Sequence, residues 1–333
     1  MVAFTLEDGV DAAALGRFMR LWTGTIEAVT QGRAAPGDTA RDLAQANLDL
    51  TVTVGWGPEL FAKVGLPDAR PAALADVPSF RHDRLEPRWS GGDLVVLVGA
   101  ADDTTVTHVL RRMVLDARPF ARVRWDQAGS WRGLDGDQRP TTGRNLFGQV
   151  DGTGNLTPAD PLFDATLWAK TPDWFAGGTT LVVRRIRMDL EEWDRLTRDE
   201  QERAIGRDLT LGAPLTGTAE SDQPDLDAVD DQGRPVIPAD AHVRLAHPSR
   251  NGGARILRRG LNYTDYDPVA RRHEAGLVFC AFQADLGAQF VPLQRRLDRG
   301  DALNTWTTAV GSASAAVLPG FQRGGWLGDT LLA

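Results

Sequence analysis

The order of hydrophobic patterns constrains this chain most. The first half runs strand, helix, strand, strand, helix, strand, and the second half repeats that order more loosely. Val2 to Leu6 predicts a short strand. Val10 to Thr30 predicts a helix, because Leu15, Phe18, Trp22, Ile26 and Val29 recur at steps of three and four and Gly32 follows the end. Leu50 to Val54 and Asp93 to Val98 read as strands. Asp102 to Asp116 reads as a helix with Asp103 and Thr104 available as caps, and Arg122 to Gln127 begins another strand. Proline-rich Pro67 to Trp89 reads as loop.

In the second half, Thr179 to Met188 is a strong β run, followed by a charged helical stretch from Leu190 to Ile205. Leu209 to Pro238, rich in Asp, Pro and Gly, predicts an exposed loop. Strands are expected near His242, at Ile256 to Tyr263 and at Leu277 to Phe282. A helix over Ala284 to Leu297 carries Leu286, Phe290, Leu293 and Leu297 on one stripe. The pattern implies an α+β chain with internal duplication, each unit an antiparallel sheet with helices on one face. Units of 1–135 and 176–333 would flank a connecting segment, 136–175. A large cofactor would fit between the two sheets.

Composition removes several classes of function. The chain has 333 residues, 42% hydrophobic and 25% charged, enough to bury a real core. A net charge of −8 argues against a nucleic-acid backbone or an anionic membrane as main partner. No apolar run is long enough to span a bilayer. A single cysteine, Cys280, sits in the apolar run Gly276 to Phe282 and reads as a buried strand residue. The start, Met-Val-Ala-Phe-Thr-Leu, is a strand-like alternation with no basic region or cleavage site of a signal peptide. The expectation is a cytoplasmic protein, or an exported one if an N-terminal segment is missing. Monomer and homo-oligomer both stay open.

Two stretches carry the chemistry. Gly143 to Asn155 reads GRNLFGQVDGTGN, with four glycines around one carboxylate, Asp151. Glycine permits a sharp turn and close backbone approach, so the loop could aim an acid into a cavity. It could equally be a surface turn, since Asp-Gly is a common turn dipeptide. The second stretch, Ala241 to Tyr263, carries His242, Arg244 and the pair Arg258-Arg259. There is no HExxH, GxSxG, phosphate-binding GxxxxGK[ST] or GxGxxG pattern. A histidine to bind iron, with an acid and a cation to cleave a peroxide bond, is the equipment of a haem peroxidase.

At these residues the chain resembles the dye-decolourising peroxidase family. The resemblance rests on Gly148-Gln-Val-Asp151-Gly152 (the GxxDG motif) with Arg144 to Phe147 and Thr153-Gly154-Asn155 beside it. It continues in Asp240-Ala-His242-Val-Arg244, Arg258-Arg259-Gly260-Leu-Asn-Tyr263, and Phe282-Gln283-Ala-Asp285 with Gln294. Gly55 to Phe61 and Ser90 to Asp93 extend it through the first half. It implies two ferredoxin-like subdomains with one heme b per chain between them. His242 would be the proximal iron ligand, Asp151 the distal acid–base group and Arg258 the distal cation. Gly152, Thr153, Asn155, Arg244 and Asp285 would complete the cofactor site.

Local reasoning adds detail. Period two in an extended segment puts Arg258 on one face with Ile256, Gly260 and Asn262, and Arg259 on the other, with Gly260 leaving room for a macrocycle. Arg244 would share a face with His242 if that segment is extended, suiting it to a haem propionate. Asp285 could cap a helix or accept the Nδ1–H of the proximal histidine. His247, where that family often has asparagine, and His273 are competing histidines. The implied reaction is reduction of hydrogen peroxide with one-electron oxidation of an aromatic or dye-like reductant. An aspartate (ordinary pKa about 3.9) stays a usable base in acid that protonates imidazole (about 6.5), so an acidic optimum is expected. Tyr263, Tyr266, Trp306 and Trp326 are possible electron carriers to the surface. The alternative is a haem-binding or haem-dechelating (deferrochelatase-like) protein with incidental peroxidase activity.

Overall fold

The structure, a computed structural model, describes the chain apart from residues 46–48, 132, 134, 135, 138–140, 269 and 270, and apart from the side chains of residues 45 and 272. The expected boundary at residue 135 therefore lies outside the described residues. In the first half, β1 (Val2–Leu6), β2 (Thr51–Trp56), β3 (Leu94–Gly99) and β4 (Ala121–Asp126) pair in the order β4-β1-β3-β2. In the second, β5 (Thr179–Met188), β6 (Leu257–Asp267), β7 (Arg272–Gln283) and β8 (Thr307–Val317) pair in the order β8-β5-β7-β6. Both halves thus wind their four strands in the same sequence, all antiparallel. The two sheets join edge to edge, Gly55 opposite Val317 and Trp56 opposite Ala316, into one sheet of eight strands.

The helices Ala12–Thr30 and Asp103–Ala117 cover the outer face of the first sheet. The predicted stripe Leu15, Phe18, Trp22, Ile26 and Val29 is buried there against Phe4, Val96 and Met113. Trp22 Nε1 donates to the Met113 carbonyl at 3.1 Å, locking the two helices together. The second of these helices is capped by Asp102, whose carboxylate accepts the N–H groups of Thr104 and Thr105, rather than by Asp103 or Thr104. The reason is geometric: Asp102 is the last extended residue, and a cap must stand outside the helix.

The inner faces of the sheets pack against each other. Ala3, Val95 and Leu97 of the first half meet Leu181, Val183, Val278, Cys280, Ala313 and Ala315 of the second. That apolar layer fills the space where a cofactor between the sheets was expected. Cys280 is fully buried in it, as its apolar run predicts, and burial pushes its thiol up to about 12. Strand alternation then sends the even-numbered residues of β5, among them Arg184, Ile186 and Met188, to the outer face of the second sheet, where a large cavity opens.

Two consecutive arginines in β5 point to opposite faces. Arg184 pairs with Asp83 on the cavity side, and burial lowers its basicity while Asp83 works to restore it. Arg185, on the inner side, binds Gln127, Glu274 and Asp265 and lies between the rings of Trp89 and Tyr263, at 4.3 and 4.2 Å. It therefore fastens first-half residues to the second sheet. Removing one partner of a buried ion pair strands the other charge. Asp83→Ala should lower the unfolding free energy by about 3–5 kcal/mol, measured by urea denaturation.

Candidate active site

The cavity on the outer face of the second sheet has a volume of ≈ 1050 Å³. Its floor is apolar, with Ile186, Met188, Leu277 and Phe279 from the sheet and Leu293 and Leu297 from the helix Phe290–Gly300. That helix begins later than expected, yet Leu286, Phe290, Leu293 and Leu297 are all buried as the stripe requires.

One wall carries His242. It starts a short helix, His242–Ala246, where a strand was expected. Five residues cannot declare a period, and tertiary packing decides their form. The preceding helix Arg198–Ile205 ends at Gly206, in the left-handed region at φ 89°, where a Cβ would stand 2.4 Å from Val243. Close approach at this glycine lets the His242 helix seat against its neighbour. The carboxylate that accepts from His242 is Asp301, with Nδ1 and Oδ2 2.6 Å apart. Asp285, the expected partner, accepts the N–H of Ala288 instead and so acts as a turn cap. Sequence reasoning missed Asp301. Its only signal is an acid just beyond the last predicted helix, and nothing local ties it to position 242.

Helical geometry also moves Arg244. Two residues along a helix turn a side chain to the far side. Its guanidinium donates to the carbonyls of Ile237 and Leu226, so it braces the loop before the helix and does not reach the cavity. His247 does line the cavity, but its Nδ1 is 2.8 Å from Ser249 Oγ, and burial with the nearby Arg255 and Arg250 lowers its basicity. His273 sits on β7 beside the ring of Tyr266, away from the cavity.

The facing wall carries Asp151. Arg144 and Val150 form an antiparallel bridge, the Gly148 N–H donates to the Asn145 carbonyl at 3.0 Å, and Gly148 takes the left-handed turn position at φ 79°. The resulting small hairpin is clamped by Arg144, which donates to the carbonyls of Gly148, Leu209 and Thr210. Asp151 Oδ1 lies 3.3 Å from Arg258 Nη1, with the two side chains 19% and 28% exposed at the cavity surface. Asn155 secures this meeting from behind. Its amide donates to the Arg258 carbonyl at 2.8 Å and accepts the Arg258 N–H at 2.9 Å, tying the loop to β6. Gly152 and Thr153 also line the cavity, and the Thr153 hydroxyl donates to Glu220 at 2.8 Å.

Two expectations are corrected here. Gly260 makes room for Leu277 and Trp131, which a Cβ would meet at 3.0 and 3.3 Å, and not for a macrocycle. The Leu209 to Pro238 loop is more than a solvated excursion, since its residues 220 to 224 form part of the cavity rim. Arg207 lies at that rim, with Glu220 and Arg258 near it; burial lowers its basicity and Glu220 partly restores it. Among the aromatics, Phe147 lines the cavity, stacks on Trp193 at 4.3 Å, and Trp193 meets Trp306 edge-on at 5.2 Å. Tyr263 is buried on the inner face, and Trp326 packs under Arg20 in the first half.

An imidazole braced by a carboxylate, sharing an apolar-floored cavity with an acid–guanidinium pair, is a donor set that suits haem. Residues 1–131 match the model of the N-terminal domain of Dyp-type peroxidases, and residues 142–322 that of the C-terminal domain. A dye-decolorizing peroxidase of Thermobifida fusca is 43% identical over 97% of this chain and 76% of that protein. A deferrochelatase of Yersinia pseudotuberculosis is 34% identical over 96% of this chain and 77% of that protein. The DyP-type peroxidase of Cellulomonas bogoriensis superimposes with a TM-score of 0.93 at 46% identity, covering 99% of this chain and 92% of that one. Ferric DtpA of Streptomyces lividans does so with 0.95 at 40% identity, covering 99% and 91%. The fold and these relatives define a haem-dependent peroxidase. The chain belongs to the Dyp-type peroxidase family.

Burial works against a charged His242, but the Asp301 carboxylate outweighs it, so this imidazole holds a proton more tightly than usual. In the haem-free chain the pair adds stability that is complete below an unfolded histidine's pKa of about 6.5. That stability is lost as pH rises through the raised folded value. Asp301→Asn should flatten this dependence, measured as thermal unfolding of haem-free protein from mild acid to mild alkali.

Proposed function

We propose that this chain reduces hydrogen peroxide at a heme b ligated by His242 and oxidises aromatic, dye-like reductants in one-electron steps. The observation that carries this reading is the Asp151–Arg258 pair facing into the same cavity as His242. When bound, the haem would supply the redox chemistry, giving two electrons to the peroxide bond and recovering them singly from reductant.

The protein's own groups do the rest. His242 offers Nε2 to iron, because Nδ1 is committed to Asp301. A carboxylate accepting that Nδ1–H makes the ring a stronger donor and fixes its orientation. Ile186, Met188, Leu277 and Phe279 give the macrocycle an apolar bed that excludes water. Arg207, at the rim, is placed to meet a propionate carboxylate. Asp151, as carboxylate, takes a proton from the inner oxygen of peroxide and returns it to the outer one, which leaves as water. Arg258 stabilises the negative charge that gathers on the departing oxygen.

A second reading, removal of iron with the porphyrin left whole, draws support from the deferrochelatase relatives. Binding or dechelation needs an axial ligand but not a distal acid–arginine pair, so peroxide cleavage accounts for more of the site. Rapid mixing with peroxide separates the two: spectral oxidation with reductant turnover supports peroxidase, and free porphyrin with released iron supports dechelation.

His242→Ala should lose the haem absorption band, while His247→Ala retains it; the reverse would transfer the ligand role to His247. Asp151→Ala should keep the haem and slow the reaction with peroxide by about 10²–10⁴-fold, read by stopped-flow absorbance.

A further inference from the structure

Two side-chain amides stand in series behind Asp151. Asn145, only 9% exposed, accepts the Phe147 N–H through Oδ1 at 3.0 Å. A backbone N–H can only donate, so this contact dictates which end of the amide is oxygen. Nδ2 is thereby turned the other way. It donates to Gln149 Oε1 at 3.1 Å and reaches Asp151 Oδ2 at 3.4 Å. Gln149, 8% exposed on the cavity wall, commits its oxygen to Asn145, and its Nε2 is left without a partner among the described residues. The amide order is therefore set from the backbone outward, at the cost of one unsatisfied donor. Such a cost is retained where the arrangement serves something beyond packing.

We propose that Asn145 is a positioning residue for peroxide cleavage, holding Oδ2 of Asp151 while Arg258 holds Oδ1. The inference rests on the reading of Asp151 as the acid–base group. With a donor at each oxygen, the carboxylate cannot swing about its Cβ–Cγ bond without losing both contacts. Both contacts are made to carboxylate oxygens, the atoms that take a proton from peroxide. Arg258 alone would leave the second oxygen free to turn toward solvent. The charged and titratable groups that share this cavity with Asp151 are Arg258 of β6, Arg184 of β5, Arg207, Glu220 and Asp222 of the rim, Asp160, His82 and Asp83, His242, His247 and Arg255, and Asp298 and Asp301. Substituting Asn145 changes none of them, so a change in pH behaviour is attributable to the lost donor.

The test uses haem-loaded protein and three variants. Asn145→Asp keeps an oxygen for the Phe147 N–H and replaces the donor with a negative oxygen beside Asp151. Asn145→Ser also keeps an acceptor within reach of that N–H, and its hydroxyl is one bond shorter than the amide, so the donor is drawn back from Asp151. Asp151→Asn is the reference for the underlying reading. Two quantities are followed against pH: the rate of reaction with peroxide, and the infrared carboxyl band missing from Asp151→Asn. In Asn145→Ser, loss of the amide contact should move the acid limb of the rate and the carboxyl band together to higher pH. In Asn145→Asp they should move further, because a like charge opposes ionisation. Curves that coincide with those of the parent, even with lowered thermal stability, reduce Asn145 to a turn former and overturn the proposal. If Asp151→Asn keeps the parent's acid limb, Asp151 is not the base and both readings fall. If Asp151→Asn abolishes the limb while the Asn145 variants leave it in place, only the role of Asn145 falls.

Discussion

Back-to-back packing of the two sheets decides where everything else can go. Ala3, Val95 and Leu97 press against Leu181, Val183, Val278 and their neighbours. Burial of this kind is the main favourable term in folding, and it joins the two layers in one apolar cluster. The outer face of the first sheet is taken by two helices. The outer face of the second sheet is therefore where a cavity can form, and the alternation of β5 supplies that face with Arg184, Ile186 and Met188. Arg185, one residue on, joins the halves from the other side.

Within the cavity, distance along the chain is turned into proximity by a few directed contacts. His242 and Asp301 are 59 residues apart and meet at 2.6 Å. Asn155 and Arg258 are 103 apart and exchange two hydrogen bonds. The second contact matters because an arginine on an edge strand is otherwise free to drift. Pinned through its backbone, Arg258 can present its guanidinium to Asp151 at small entropic cost. The connecting segment, formally a linker between repeated units, is thus held by both the rim loop and β6. It supplies the acid, while the second unit supplies the imidazole and the cation.

Much of this was legible beforehand. Val2–Leu6 and Thr179–Met188 are found with the predicted bounds, and the helix stripe from Leu15 to Val29 is buried as its spacing requires. Period two separates Arg258 from Arg259 correctly, since Arg258 lines the cavity and the Arg259 guanidinium lies near Gly99. The failures share one cause. Around His242 the pattern is too short to show a period, so an extended segment was expected where a single helical turn forms, and Arg244 was placed on the wrong face with it. Asp285 and Asp301 are both acids at helix boundaries. Only the packing of the helix Phe290–Gly300 brings the second, and not the first, to the imidazole.

By itself the sequence determined the order of elements, the duplication, the faces of the long strands and helices, and the loop and strand that carry Asp151 and Arg258. These follow from local periodicity and turn chemistry, which act over a few residues. The tertiary structure alone decided that the sheets fuse at Gly55 and Trp56, that the cavity lies outside them, that Asp301 partners His242, and that the 220 to 224 segment closes the rim. Those outcomes depend on which distant surfaces bury each other, and no spacing within a single segment encodes that choice.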